Sequence, residues 1–263
     1  MRFQYMGFAF LDRYDVDACA AECNKRGGDG WGGACQYFNI WRAVVNGNPT
    51  TYSCSMVSLF PSTNRRIWTN FQQYYIPSDN STATNYGQGN LQVTFARGYQ
   101  RKNLIQDGDF ESYDTCNDDG TCFTESSSGW TGTSPDGGRL DATIFNYQPY
   151  AHSGSAVGVL GAAYGDDSLS GTLQPVQPLN TVAGKQYQIN FFHAAAFSGP
   201  SLESNALVNV MWNGQVVLTT TPGFQDWKLY QVSVTAQGQD TLAFTGGAAP
   251  AWSFIDDVAV YAL

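Results

Sequence analysis

The sequence predicts a mainly β protein in two parts: a small α+β domain over residues 1–102 and a β-sandwich or jelly roll over 103–263. Three observations predict it. From residue 103 onward, short apolar-alternating runs recur between turn signals, with no useful helical periodicity. Before that, one amphipathic helix carrying two cysteines precedes strand-like segments carrying one cysteine each. Finally, two phrases bracket the second part: Asn103-Leu-Ile-Gln-Asp-Gly-Asp-Phe-Glu-Ser112 and Phe254-Ile-Asp-Asp-Val-Ala-Val-Tyr261. They have the texture of the first and last strands of one sandwich, with carboxylates where the strand ends would meet.

The helix is expected over residues 12–26. Asp15 suits the N-cap, Val16, Cys19, Ala20 and Cys23 share one face, Lys25 and Arg26 occupy the last turn, and Gly27-Gly28 end it. Ala34 to Trp41 reads as a strand, Asn46-Gly47 as a tight turn, and Thr51 to Val57 as the partner strand. Leu91 to Phe95 is a further strand, and 61–90 is polar, Tyr-rich and without a clear pattern. In the second part the runs are Ala156–Leu160, Ser170–Gln174, Gln186–Phe192, Ala206–Trp212, Gln215–Thr219, Lys228–Val234 and Thr241–Phe244. Asn213-Gly214 between two of them is a hairpin signal. With almost no linker between the parts, the two domains are expected to be packed together.

Composition narrows the function classes. The 263 residues are 43% hydrophobic and 14% aromatic, enough for a sizeable core, while only 13% are charged. The net charge of -9 and a pI near 4.5 leave no basic face to displace counterions, which argues against nucleic acid and anionic membrane. No run approaches the roughly 18 apolar residues of a membrane span. Met1 to Leu11 is apolar, but Arg2 and Asp12 leave too short a core for a secretory signal. The expectation is a signal already removed, or a start inside a longer protein.

The six cysteines follow Cys19-x3-Cys23-x11-Cys35-x18-Cys54 and then Cys116-x5-Cys122. Zinc knuckles want C-x2-C pairs or histidine partners, and His152 and His193 are remote, so disulfides and a secreted, extracellular protein are expected. Cys116 and Cys122 would staple a turn. Four cysteines in the first part allow three connectivities. Asn80-Ser-Thr is a glycosylation sequon suited to a surface loop.

Tyr14-Asp-Val-Asp-Ala-Cys-Ala-Ala-Glu-Cys23 followed by Cys35-Gln-Tyr-Phe-Asn-Ile40 resembles the PAN/apple modules of secreted fungal proteins, over about residues 5–100. The resemblance implies Cys23 paired with Cys35 and Cys19 with Cys54. The hinge cysteines that close some apple domains are absent.

The second part resembles the galactose-binding-like jelly rolls, most closely the carbohydrate-binding modules of family 4/9. The resemblance is carried by Asn103 to Glu111, Gly129-Trp130, His152-Ser-Gly-Ser-Ala156, Trp212-Asn-Gly214, Asp226-Trp-Lys-Leu-Tyr230 and Ile255-Asp-Asp-Val258. It implies a structural calcium near the terminal strands, with carboxylates from Glu111 and Asp256 and weaker contributions from Asp109 and carbonyls around Ser153. Calcium takes six to eight hard oxygens, which strand ends and loops can supply. The alternative is that Asp107, Asp109 and Asp256 are turn and strand-edge residues.

A glycan site needs aromatic faces for sugar C–H groups and polar groups for hydroxyls. The domain offers Tyr113, Phe145, Tyr147, Tyr150, Tyr164, Phe197, Trp212 and Trp252. Trp130 and Trp227 match family positions that pack inside. Tyr147, Tyr150, Tyr164 and Trp252 sit in polar, turn-rich company and are the candidate ligand-binding residues, unless each anchors its own loop. No nucleophile elbow, phosphate loop or histidine motif supports an enzyme. The leading expectation is a secreted, non-catalytic glycan-binding protein of cell wall or matrix. The alternative is an adhesive extracellular protein that self-assembles or binds another protein, and a hydrolase with converging carboxylates ranks third.

Overall fold

The computed structural model describes residues 4–26, 35–58, 91–100, 102–113, 116 and 122–263. The expected glycine stop at Gly27-Gly28, the polar stretch 61–90 and the sequon at Asn80 lie outside the described residues. The chain divides into two compact units, Met1–Arg101 and Lys102–Leu263.

Among the described residues, the first unit is a four-stranded antiparallel sheet with one helix. Its strands are β1 (Gln4–Leu11), β2 (Cys35–Val45), β3 (Asn48–Ser58) and β4 (Leu91–Gln100), in the order β1-β3-β2-β4. Asn46 and Gly47 both adopt positive φ (51° and 79°), the left-handed pair whose twist matches the strands of a two-residue hairpin. Helix α1 spans Val16–Lys25 and starts later than the sequence pattern suggests, because Asp15 is the cap: its side chain accepts the Ala18 N–H at 2.9 Å. Strand β1 was read from sequence only as an apolar run, and its burial does not alternate cleanly: Tyr5, Phe8 and Phe10 stay exposed.

Cys19 and Cys23 point from α1 into a small core with Phe38, Ile40 and Met56. There Cys19 is bonded to Cys54 and Cys23 to Cys35, closing spans of 35 and 12 residues. On a chain-entropy account each contributes about 3–4 kcal/mol.

The second unit is a β-sandwich of two antiparallel sheets. Its strands are β5 (Phe123–Thr124), β6 (Trp130–Thr133), β7 (Ala142–Asn146), β8 (Ala156–Leu160), β9 (Thr172–Pro175), β10 (Gln186–Ala195), β11 (Val208–Trp212), β12 (Gln215–Thr220), β13 (Gln225–Thr235), β14 (Leu242–Gly246) and β15 (Ser253–Ala262). One sheet runs β13-β10-β15-β8-β7-β5 and the other β12-β11-β14-β9-β6. The β11–β12 turn is again an Asn-Gly pair at positive φ, Asn213 (51°) and Gly214 (76°).

Between the sheets lie Phe110, Trp130, Ile144, Leu160, Leu173, Ile189, Phe191, Leu242, Phe244 and Ile255, all fully buried. Trp130 packs against Phe110 at 4.8 Å and donates its indole N–H to the Asp107 carbonyl at 2.7 Å. Burial of each such side chain contributes about 2–3 kcal/mol. Trp212 also belongs to this core, so it is not a surface candidate. Trp227 departs from its expected interior place: it is half-buried against a separate cluster on the outer face of the six-stranded sheet.

The opening phrase of the second part is not a strand. Residues 102–113 form bends and turns, with Asp107 and Phe110 at positive φ (61° and 58°). The segment still lies along β15, where Leu104 donates to Val260 (2.9 Å) and Val258 donates to Gly108 (2.8 Å). A Cβ on Gly108 would sit 1.9 Å from the Val258 carbonyl oxygen, so only glycine permits this approach. Cys116 and Cys122 are bonded shortly after.

Candidate functional site

Side chains of the six-stranded sheet alternate between the core and an outer face. On β8, Ala156 and Leu160 enter the core while Val157 and Val159 face outward, and all five residues of the strand are buried. That double burial explains the unbroken apolar run Ala-Val-Gly-Val-Leu. The outward set, Val157, Val159, Ala194 and Phe254, is covered by Phe145, Tyr150, Ala151, Trp227 and Trp252.

Loops fold aromatic rings over this outer face. Phe145, next to last in β7, stacks on Phe123 of β5 at 4.3 Å. A 3-10 turn, Gln148–Tyr150, carries Tyr150 to within 5.1 Å of Tyr147, 5.1 Å of Phe197 and 5.6 Å of Phe254. Phe197 then meets Trp252 edge-on at 5.4 Å, while Tyr164 meets Phe123 at 5.7 Å. The rings enclose a groove of about 60 Å³ lined by Phe123, Phe145, Tyr150, Phe197, Trp252 and Phe254, among others. At roughly 10–15 Å³ per enclosed water, that volume holds a few waters. It is a surface to lie on, not a cavity that engulfs a ligand.

The four residues singled out from sequence therefore meet in one place. Tyr147 and Tyr164 are 46% and 47% exposed, and Tyr150 and Trp252 are half-buried. Phe197, 48% exposed, completes the rim. Phe123 and Phe254 went unnoticed because their neighbours in sequence are ordinary strand residues; only the pairing Phe123↔Phe145 reveals the first. Tyr113 packs against the core and stands apart from the groove.

A carboxylate cluster adjoins this face. Asp256, fully buried, accepts the backbone N–H groups of His152 (2.8 Å) and Ser153 (3.1 Å). Asp257 accepts the Ser153 hydroxyl at 2.8 Å and meets His152 Nδ1 at 2.6 Å. The His152 ring is stacked on Phe192 at 3.8 Å. Glu111 accepts the N–H groups of Ser155 and Ala156, and a Cβ on Gly154 would fall 2.2 Å from its Oε1.

Among the described residues, no lysine or arginine forms an ion pair with these acids. Burial, then the charges of Asp257, Asp107 and Glu111, push the Asp109 carboxyl up to about 6. Burial and Asp257 push Asp256 well above the usual carboxylate range. Among the described residues, no three acidic, histidine or cysteine side chains converge closely enough to enclose a metal by themselves. The donor chemistry nonetheless fits a hard cation: Asp109, Glu111 and Asp256 bring only oxygens, and backbone N–H groups already fix two of the three.

Serine, histidine and aspartate meet here: the Ser153 hydroxyl donates to Asp257, whose other carboxylate oxygen meets His152 Nδ1.

No protein-family model and no curated protein matches the chain. Among solved structures, it is similar to TmCBM61 in complex with β-1,4-galactotriose, at 16% identity and a TM-score of 0.41, covering 62% of this chain and 99% of the other. It is also similar to the C-terminal family 22 carbohydrate-binding module of Clostridium thermocellum Xyn10B, at 14% identity and TM-score 0.38, covering 52% and 88%. A third likeness is to the K3 cleaved adhesin domain of Lys-gingipain from Porphyromonas gingivalis W83, at 14% identity and TM-score 0.37, covering 53% and 97%. What those proteins bind is a property of theirs.

Proposed function

We propose that the second unit is a non-catalytic glycan-binding module and that the outer aromatic groove is its site. The observation that carries this reading is the convergence of Tyr147, Tyr150, Tyr164, Phe197 and Trp252 around Phe123 and Phe145, with Tyr147, Tyr164 and Phe197 nearly half-exposed. Exposed rings gathered on one face are costly for a soluble surface unless something lies on them. Sugar C–H faces stack on such rings, and the Tyr147 and Tyr150 hydroxyls can reach ring hydroxyls. The shallow groove suits a chain lying across the sheet rather than a buried monosaccharide. Three disulfides, and the lack among the described residues of a helix long and apolar enough to cross a membrane, accord with a secreted protein. The apple-like reading of the first unit accords with a helix, α1, tied twice to a four-stranded sheet.

The terminal cluster is proposed to hold a structural calcium through Glu111, Asp256 and Asp109, completed by carbonyls and water. Bound there, the ion would neutralise the excess negative charge; this chain's residues align the 103–112 segment and the 152–156 loop on β15.

Affinity electrophoresis through gels containing soluble wall polysaccharides tests the reading. Retardation of the wild type by at least one polysaccharide is expected, and Tyr147→Ala with Tyr164→Ala, both on the exposed rim, should abolish it. Equal mobility of wild type and variant in every gel would exclude the groove.

A second reading, self-association, is favoured by one observation: Phe8 and Phe10 stand exposed and in ring contact at 5.1 Å on β1. A single monomeric mass across a wide concentration range would exclude it.

A further inference from the structure

The aromatic groove is framed by groups that are already held in place. Val159 of β8 and Phe254 of β15, both buried on the outer face of the sheet, form its base, and Ala163, Tyr150, Phe197 and Trp252 stand around them. The Phe197 wall is pinned by Glu203, which is fully buried: its Oε1 accepts the backbone N–H groups of Phe197 (3.1 Å) and Ser198 (2.7 Å). The Trp252 wall is pinned by its indole N–H, donated to the Ala162 carbonyl at 2.9 Å. The groove is thus formed before a ligand arrives, and its shape and lining choose what enters.

That lining has one chemical character. Among the described residues every lining side chain is aromatic or aliphatic, and only those of Tyr150 and Trp252 carry a polar atom. The Trp252 N–H is spent on Ala162, which leaves the Tyr150 hydroxyl as the one lining side-chain group for a polar partner. An unsubstituted pyranose carries hydroxyls around its ring. Pressed into this groove they would leave water and share a single partner, which is unfavourable. A methyl group loses nothing there and gains by burial. The volume of about 60 Å³, space for a few waters, also suits a small substituent and is too small for a sugar ring.

We infer that the groove seats the acetyl substituent of an acetylated glycan. The methyl group lies on Val159 and Phe254, the carbonyl accepts from the Tyr150 hydroxyl, and the exposed rings of Tyr147 and Tyr164 carry the sugar backbone. An unsubstituted chain of the same backbone lies across those rings and leaves the groove unfilled. N-acetyl and O-acetyl groups present the same methyl and carbonyl, so the chemistry covers both. This inference names the ligand class of the site already proposed and rests on the glycan reading.

Two matched pairs of ligands test it on the full-length protein. Calorimetric titration with chitohexaose and with cellohexaose, which share a β-1,4 backbone and differ in an acetamido group for a hydroxyl, reads the N-acetyl form. Retardation in gels of acetylated xylan, and of the same xylan after alkaline deacetylation, reads the O-acetyl form. The acetylated member of at least one pair should bind about tenfold more tightly than its partner. Ala163→Leu, at a half-exposed loop position, fills the groove and should erase that preference while binding of the unsubstituted partner persists. If the variant does not fold, the wild-type pairs decide alone. Equal or tighter binding of the unsubstituted member in both pairs would overturn the inference and leave the glycan reading standing. A preference that survives in folded Ala163→Leu would overturn the seat. Failure of all four ligands to bind would overturn the inference too, and retardation by any other polysaccharide would then keep the glycan reading.

Discussion

Trp252 donates its indole N–H to the backbone carbonyl of Ala162 at 2.9 Å, across 90 residues of sequence. This one bond ties the residue before the last strand to the loop after β8. It fixes the ring's orientation while leaving part of its face available. A ring held by its polar edge presents its face to a ligand with little further loss of rotamer freedom.

Gly161 is where that arrangement is most vulnerable. Its φ is +112°, and an added Cβ would sit 2.9 Å from Trp252 Cδ1. Gly161→Ala combines backbone strain with displacement of the indole, for an expected loss of about 1–3 kcal/mol. Urea unfolding should show that loss, and retardation in polysaccharide gels should fall by more than stability alone explains.

His193 predicts a pH dependence. It is fully buried, bonded through Nδ1 to Thr220 Oγ1 at 3.0 Å, and burial pushes its pKa down to about 4. The unfolded chain takes up this proton near pH 6.5, and the fold does so only near 4. The contribution is therefore fully present above about pH 6.5 and is lost as pH falls towards 4, to a total of about 3 kcal/mol. The buried acids act in the opposite direction, so the comparison to make is with His193→Gln. Between pH 7 and 4.5 the wild type should lose more stability than the variant; parallel profiles would contradict the assignment.

Asp240 holds the turns at one end of the five-stranded sheet. It is fully buried and accepts from the Thr181 hydroxyl, the Asn213 amide and the N–H groups of Gln237 (2.9 Å) and Gly238 (3.1 Å). These bonds together hold its carboxyl below the usual range despite burial. Asp240→Ala leaves four donors without an acceptor and should cost at least about 3 kcal/mol. Asp240→Asn, which keeps one acceptor oxygen, should cost clearly less. Chemical denaturation of the two variants separates these outcomes.

The sequence disclosed those parts of the molecule that local chemistry determines. Asn46-Gly47 and Asn213-Gly214 announced their hairpins because few other pairs adopt two successive positive φ angles. Ala156–Leu160 was legible residue for residue as β8, an unbroken apolar run. Tyr147, Tyr150, Tyr164 and Trp252 stood out because their polar neighbours leave them nowhere to be buried locally.

What pairing determines stayed hidden. Phe123 and Phe254 reach the groove from two strands, and nothing within either strand marks it. Gly161 donates to the Asp141 carbonyl only because Ala142 pairs with Leu160, which brings the loop after β8 back to the start of β7. Residues 103–112 mimic a strand in composition, but Asp107 and Phe110 turn left-handed and break it into bends.

Chemical-shift mapping of the full chain, titrated with the polysaccharide that retards it most, tests the central claim most directly. The account predicts that ring resonances of Tyr147, Tyr150, Tyr164, Phe197 and Trp252 shift together and saturate with one dissociation constant, while those of the core residues Trp130 and Phe244 stay fixed. Saturable binding that leaves those five rings unmoved, or no binding to any polysaccharide, would contradict it.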